Sequence, residues 1–420
     1  MSTRSLLRRN LRRWLPFCAT ILFFLPRASA QEWTRFRGPN GTGIAIDADI
    51  PIKWGINDYR WRVELPGVGH SSPVVWADRL FVTSAREADG TQIVRCLRTS
   101  DGQLQWNREY PAEAGPKNKL NCYASSTPAV DRDRLYVCWA TPQHHVVLAL
   151  DRQSGKEIWR YELGPFAAEH GFGASPIVYR ESLIVTNDQN GESSIVALDC
   201  ATGKVRWKAP RRAERAAYST PCLFQPAAGP DQLIVTSSAN GFSSFDPADG
   251  KLNWELPLFR NRVVGSPLVA AGLVLASSGT GGAGRQMFAV RPGDPLHGTP
   301  PEKVFELTKT LPYVPTSVSD GRLTFLFGDQ GVITCIKAAT GKQVWQERLE
   351  AKFFGSPVRV GQRLYCIARD GRMIVLAAAD RYRLLAQFDL GEASNSTPAI
   401  SGGVMYLRTL SHVMAIGPQR

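Results

Sequence analysis

From Trp61 onward the apolar residues fall in short runs that alternate with polar positions and break at Gly, Asp or Asn. The unit near residue 180 is representative: "IVYRES", "LIVTN", "SIVALD" and "VRW" follow one another with only tight turns between them. Period-two runs rich in Val, Ile and Leu, bounded by turn residues, are antiparallel strands. No long stretch carries the i, i+3, i+4 spacing of an amphipathic helix. The chain therefore reads as all-β.

The strands recur as a unit. "ALDCATGKVRW" (197–207) returns as "CLRTSDGQLQW" (96–106), "ALDRQSGKEIW" (149–159), "SFDPADGKLNW" (244–254) and "CIKAATGKQVW" (335–345). A small residue followed by proline precedes each strand set, as in Ser72-Pro73, Thr127-Pro128, Ser175-Pro176, Thr220-Pro221, Ser266-Pro267, Ser356-Pro357 and Thr397-Pro398. Between the fifth and sixth of these pairs the order inverts to Pro315-Thr316. These marks give eight units of ~45 residues, a length suited to four-stranded propeller blades. The last unit stops after three strands, and "WRVELPG" (61–67) stands alone before the first. The expected fold is thus an eight-bladed β-propeller, with the Trp61 strand completing the last blade and closing the ring.

Blade topology sorts residues by face. The Gly-Lys turns join third and fourth strands and lie on one rim. A phosphate cradle needs a helix N-terminus, so these turns are read as hairpins, with Trp61, Trp106, Trp159, Trp207, Trp254 and Trp345 docking adjacent blades. The opposite rim receives the residues before each inner strand: His70, Asn121, Tyr123, Glu169, His170, Tyr218, Arg262, Tyr313, Phe354 and Asn395. Turns between second and third strands add His144, His145, Asp188, Asn190 and His412, so five of six histidines sort to one face. They lack close metal-ligand spacing, and no metal site is assigned.

The A-x-D-x-x-T-G-K-x-x-W pattern resembles the repeat of the PQQ-type, quinoprotein-like β-propellers, and the match covers nearly all of 61–420. "WTRFRGPNGTG" (33–43) with "GHSSPVVW" (69–76) resembles a secreted bacterial subgroup of them. The architecture is similar to the propeller subunit of the outer-membrane barrel-assembly machinery. Units five and seven depart from the repeat, with Phe305 and Phe388 in place of Trp.

Residues 1–30 are a different object. A basic start, the apolar run "LPFCATILFFLP" and Ala28-Ser29-Ala30 make a secretory signal peptide with cleavage expected before Gln31. The apolar run is too short to span a bilayer, so no transmembrane helix is expected after processing. Loss of six leader arginines lowers the net charge from +13 to +7. Export argues against a nucleic-acid partner. The seven remaining cysteines are scattered and never adjacent, several within apolar runs, which suits small buried hydrophobes. Residues 31–60 are expected to form an extension over the rim or outer blades, because Trp33, Phe36 and Trp54 require burial.

Two functions follow. The first is an exported, monomeric, non-catalytic scaffold of the periplasm or exterior, holding an envelope protein, peptide or glycan at the histidine-bearing rim, without a cofactor. The second is implied by the resemblance: a PQQ-dependent dehydrogenase of alcohols or sugars, with Ca²⁺-chelated quinone at the axis. In it Glu169 would serve as base and Asp188 as metal ligand. The chain has neither the Cys-Cys pair of one branch of those enzymes nor a Cys-x-x-Cys-His haem motif.

Overall fold

The structure, a computed structural model, describes residues 32–46, 48–281 and 284–418. The expected signal peptide lies outside these residues. Eight sheets follow one another around a central axis. In blade 3 the strands Ile177–Tyr179, Ser182–Asn187, Ser193–Asp199 and Val205–Arg211 run from the axis outward. The two middle strands are covered on both faces by neighbouring blades and are apolar and buried throughout most of their length. The outer strand alternates buried and exposed positions, because only one of its faces meets a neighbour. In blade 8, Trp61–Glu64 pairs antiparallel with His412–Ile416, Trp61 opposite Ala415 and Glu64 opposite His412, so the ring closes as expected.

The outer tryptophans hold the blades together. Trp61, Trp106, Trp159 and Trp207 donate their indole N–H to carbonyls of Thr99, Arg152, Cys200 and Pro247, each in the hairpin of the next blade. Their rings press on the hairpin glycine of that blade. At Gly250 a Cβ would lie 2.4 Å from the Trp207 ring, and φ is +76°. Glycine is needed there for both conformation and clearance. The contact of blade 4 with blade 5 departs from the pattern: Trp254 of blade 4 donates to Gln232 Oε1 of its own blade, and Gln232 Nε2 relays to the Gly293 carbonyl of blade 5. Phe305 takes the ring position over Gly341, while Trp54 fills the blade 7 interface edge-on to Phe388 at 4.6 Å.

At the axis the Ser/Thr-Pro signature acquires its reason. The backbone N–H of Ser72 donates to Thr127 Oγ1 (2.9 Å), and that of Thr127 to Ser175 Oγ (3.0 Å). The same link joins Thr220 to Ser266, Ser266 to Thr316, Thr316 to Ser356, Ser356 to Thr397 and Thr397 back to Ser72. A hydroxyl at this register accepts the preceding blade's N–H at seven of the eight blades, the link from Ser175 to Thr220 being the exception among the described residues. Thr316 keeps that register although its proline precedes it. Elsewhere the proline that follows removes an N–H from the inner edge, where no strand could accept it.

Residues 33–45 do not lie over the rim; they enter the channel. Trp33 bridges Val75 of blade 1 with both backbone bonds, and the Thr34 carbonyl accepts from Val130 of blade 2. Asn40 pairs its amide with both backbone groups of Leu223 in blade 4. Ile44–Ala45 then adds a parallel strand to the inner strand of blade 7, Val358–Val360. Arg35 donates to the Pro221 carbonyl. Arg37, wholly buried, donates to the Ser317 and Pro357 carbonyls at 2.7 and 2.8 Å and to Thr42 at 3.2 Å. Burial pushes the Arg37 pKa down to about 9, so it stays protonated at neutral pH.

Replacing Arg37 by Ala is expected to cost about 3 kcal/mol or more, because carbonyls from two blades lose their donor inside the channel. Gly250→Ala is expected to destabilise too, whereas exposed Arg348→Ala should stay within about 0.5 kcal/mol. Guanidinium unfolding of the three variants measures these differences.

Candidate functional site

On the rim opposite the Gly-Lys hairpins, a funnel of about 450 Å³ opens over the inserted loop. Its lower wall is the hydroxyl ring, and Phe36, at the tip of the N-terminal loop, lines it as well. Eight of the ten rim residues singled out from sequence line this one cavity: His70, Asn121, His170, Tyr218, Arg262, Tyr313, Phe354 and Asn395. They reach it because each stands just before an inner strand, where the connection from the preceding blade crosses the mouth.

The other two stand apart from it. Tyr123 turns to a neighbouring cavity of about 210 Å³, where its hydroxyl donates to the Gly115 carbonyl at 2.9 Å and Lys117 lies over its ring. Glu169 is exposed, and its Oε2 accepts from Arg262 Nη2 at 2.8 Å. That hydrogen bond holds the Glu169 carboxyl below its ordinary pKa. Asp188 is buried against Arg211, with Nε to Oδ1 at 2.7 Å. The two carboxylates proposed as base and metal ligand are thus each held by an arginine. Among the described residues, no three His, Cys, Asp or Glu side chains are grouped to hold a metal ion.

The histidines divide. His70 and His170 line the funnel. His144 is exposed and pairs with Glu162 at 3.0 Å, and His412 pairs with Glu392 at 3.2 Å. His145 is not at the mouth at all. It is wholly buried, with Nδ1 2.9 Å from Asn187 Oδ1 and its ring packed against Phe166 and Phe172. The alternation of its strand turns it inward while His144 turns out.

Around the funnel, much polar chemistry braces the loops. Asn121 Nδ2 donates to the carbonyls of His170 (2.7 Å) and Phe172 (3.2 Å), tying the blade 2 and blade 3 loops. His70 Nε2 lies 3.3 Å from the Asn395 amide nitrogen, across the ring-closure seam. Burial, then the charges of Arg408, Lys117 and Arg369, push the His70 pKa down to about 4, so it is neutral at pH 7. Burial pushes the Tyr218 pKa up to about 12, so its hydroxyl stays protonated.

Several lining residues were missed from sequence. Arg369 and Asp329 lie in turns between second and third strands, and applying the topological rule to blades 6 and 7 finds both. Arg215 sits in the long loop before blade 4, a position no spacing marks. Phe36 enters from the far end of the chain. All seven cysteines among the described residues are buried and unpaired. Burial pushes their thiols up, Cys222 to about 12.

A family model described as outer membrane protein assembly factor BamB matches residues 90–304 and 305–419. The chain belongs to this family. BamB from Moraxella catarrhalis superposes with a TM-score of 0.61 at 17% identity, covering 84% of this chain and 95% of that one. The quinohemoprotein alcohol dehydrogenase of Comamonas testosteroni gives 0.67 at 12% identity, with 92% and 80% covered. Among curated proteins, a polyvinylalcohol dehydrogenase from Pseudomonas sp. is 28% identical over 177 residues, 38% of this chain. The matched stretch spans 25% of that dehydrogenase. At these identities the two superpositions speak for the fold. No helix among the described residues is long and apolar enough to cross a membrane.

The His145 pKa is pushed down to about 4 by burial, below its unfolded value near 6.5. The folded state then binds fewer protons, so its contribution is present above pH 6.5 and is lost as pH falls toward 4. Stability is expected to drop by about 3 kcal/mol over that window from this residue. The drop should shrink in His145→Gln, as read from denaturant unfolding at several pH values; an unchanged slope would show that His145 is not its source.

Proposed function

We propose that this protein is a non-catalytic binding scaffold of the cell envelope, exported by its N-terminal leader, that holds a protein or peptide in the funnel above Phe36. The observation that carries the reading is the disposition of the carboxylates. Glu169 is engaged by Arg262 and Asp188 by Arg211. Asp329, the acidic side chain of the funnel lining, accepts the backbone N–H groups of Tyr313 (2.7 Å) and Val314 (3.1 Å) and lies 3.6 Å from Arg285. A Ca²⁺-bound quinone needs free oxygen donors grouped around the cation, and this donor set does not fit one. A general base works best with a carboxylate free of cationic partners, and Glu169 and Asp188 are each tied to an arginine while Asp329 accepts two backbone N–H groups.

Membership of a family described by outer membrane assembly supports the envelope location and a protein partner. The similarity to a polyvinylalcohol dehydrogenase keeps the alternative concrete: a PQQ-dependent oxidoreductase of alcohols or sugars.

The two readings separate in one reconstitution. The purified protein is expected to show neither stoichiometric uptake of PQQ with Ca²⁺ nor dye reduction driven by alcohols or aldoses. Photo-cross-linking from positions 70, 123 and 170 should instead capture an envelope protein. Tight PQQ uptake with substrate-dependent dye reduction would refute the scaffold reading.

A further inference from the structure

The funnel's charge is unbalanced. Three guanidinium groups line it, from Arg215, Arg262 and Arg369. Arg262 is matched by Glu169, and Asp329 is consumed by two N–H donors with Arg285 alongside. Among the described residues, Arg215 and Arg369 have no carboxylate within ion-pair distance. The Arg369 guanidinium lies over the Phe354 ring, 4.5 Å from the centroid. A cation held over an aromatic ring can still donate to a carboxylate, and buried Arg369 Nε has no hydrogen-bond partner among the described residues. A concave, low-dielectric wall concentrates such a field. His70, in the same cavity, senses it: the charges of Arg408, Lys117 and Arg369 add to burial in driving off its proton.

We propose that the funnel is a receptor for an acidic peptide segment, whose carboxylates meet Arg215 and Arg369 while an apolar side chain rests on Phe36. The inference rests on the binding reading above and gives it a ligand class. Aromatic faces are the usual platform for sugars. Here Arg369 already covers Phe354, and Tyr313 is buried in the wall. What remains at the mouth is a pair of planar guanidinium donors with the Phe36 side chain below them, which favours an acidic peptide over a neutral glycan. Charge-assisted bonds of this kind confer selectivity against neutral isosteres.

The test uses a fluorescein-labelled Glu-Leu hexapeptide, its Gln-Leu analogue and unlabelled tri-galacturonate. The Glu peptide is expected to bind at least about tenfold tighter than the Gln peptide, and more weakly as salt rises from about 0.05 to about 0.5 M. Arg369→Gln and Arg215→Gln should each weaken it about tenfold, and Arg348→Gln, on an outer strand, should not. Thermal melts of each variant confirm folding. Equal binding of the two peptides, no binding of either, or folded Arg variants with undiminished affinity would overturn the proposal. Displacement of the peptide by an equal or lower concentration of tri-galacturonate would overturn the peptide assignment. PQQ-dependent dye reduction would sink the scaffold reading without altering the peptide result, so the two failures are distinguishable.

Discussion

A ring of sheets leaves eight inner strands whose axial edges have no neighbour. Each presents carbonyl and N–H groups to a channel too narrow for another blade, and unpaired backbone groups in such a place are costly. Much of this molecule can be understood as a response to that constraint. Proline removes donors from the edge, hydroxyls passed from blade to blade satisfy the N–H groups beside it, and the N-terminal loop supplies Arg35, Arg37 and Asn40 to carbonyls that remain. The loop that solves the backbone problem also turns a channel into a blind funnel.

The periphery is governed by a different term. There, large indole rings bury apolar area between blades and anchor on hairpin carbonyls, so the Gly turn and the Trp must recur together. Where the repeat decays, substitutes appear nearby. Phe305 retains the ring contact, Gln232 relays a hydrogen bond, and Trp54 arrives from another part of the chain. The blade interface tolerates changed chemistry as long as the volume is filled; only the Gln232 relay also meets a carbonyl.

These two terms explain what could be read in the sequence. Blade number, strand order and the closing role of Trp61 were legible because they rest on local periodicity. The position of eight rim residues was legible because connections before inner strands have one direction to go. The course of residues 33–45 was not, since Arg37 meets Ser317 and Pro357, partners that no local pattern couples to it. His145 was misplaced because a turn and the first residue of a strand look alike in sequence while pointing to opposite sides. Glu169 and Asp188 were placed on the right loops, but their arginine partners, one of them two blades away, decide what they can do.

The inserted loop has a consequence for the order of assembly. Its bonds join residues 280 and 320 positions apart, among the largest separations the chain allows. The segment precedes the blades in the chain, yet the last part of its binding surface exists only after blades 6 and 7 have formed. Closing so long a loop is slow and comes late. Trp33 can pair with blade 1 and Arg35 with blade 4 before that, but the two inter-blade bonds of Arg37 must wait for blades 6 and 7. The propeller is in this sense completed twice, once at its circumference by Trp61 and once at its axis by Arg37.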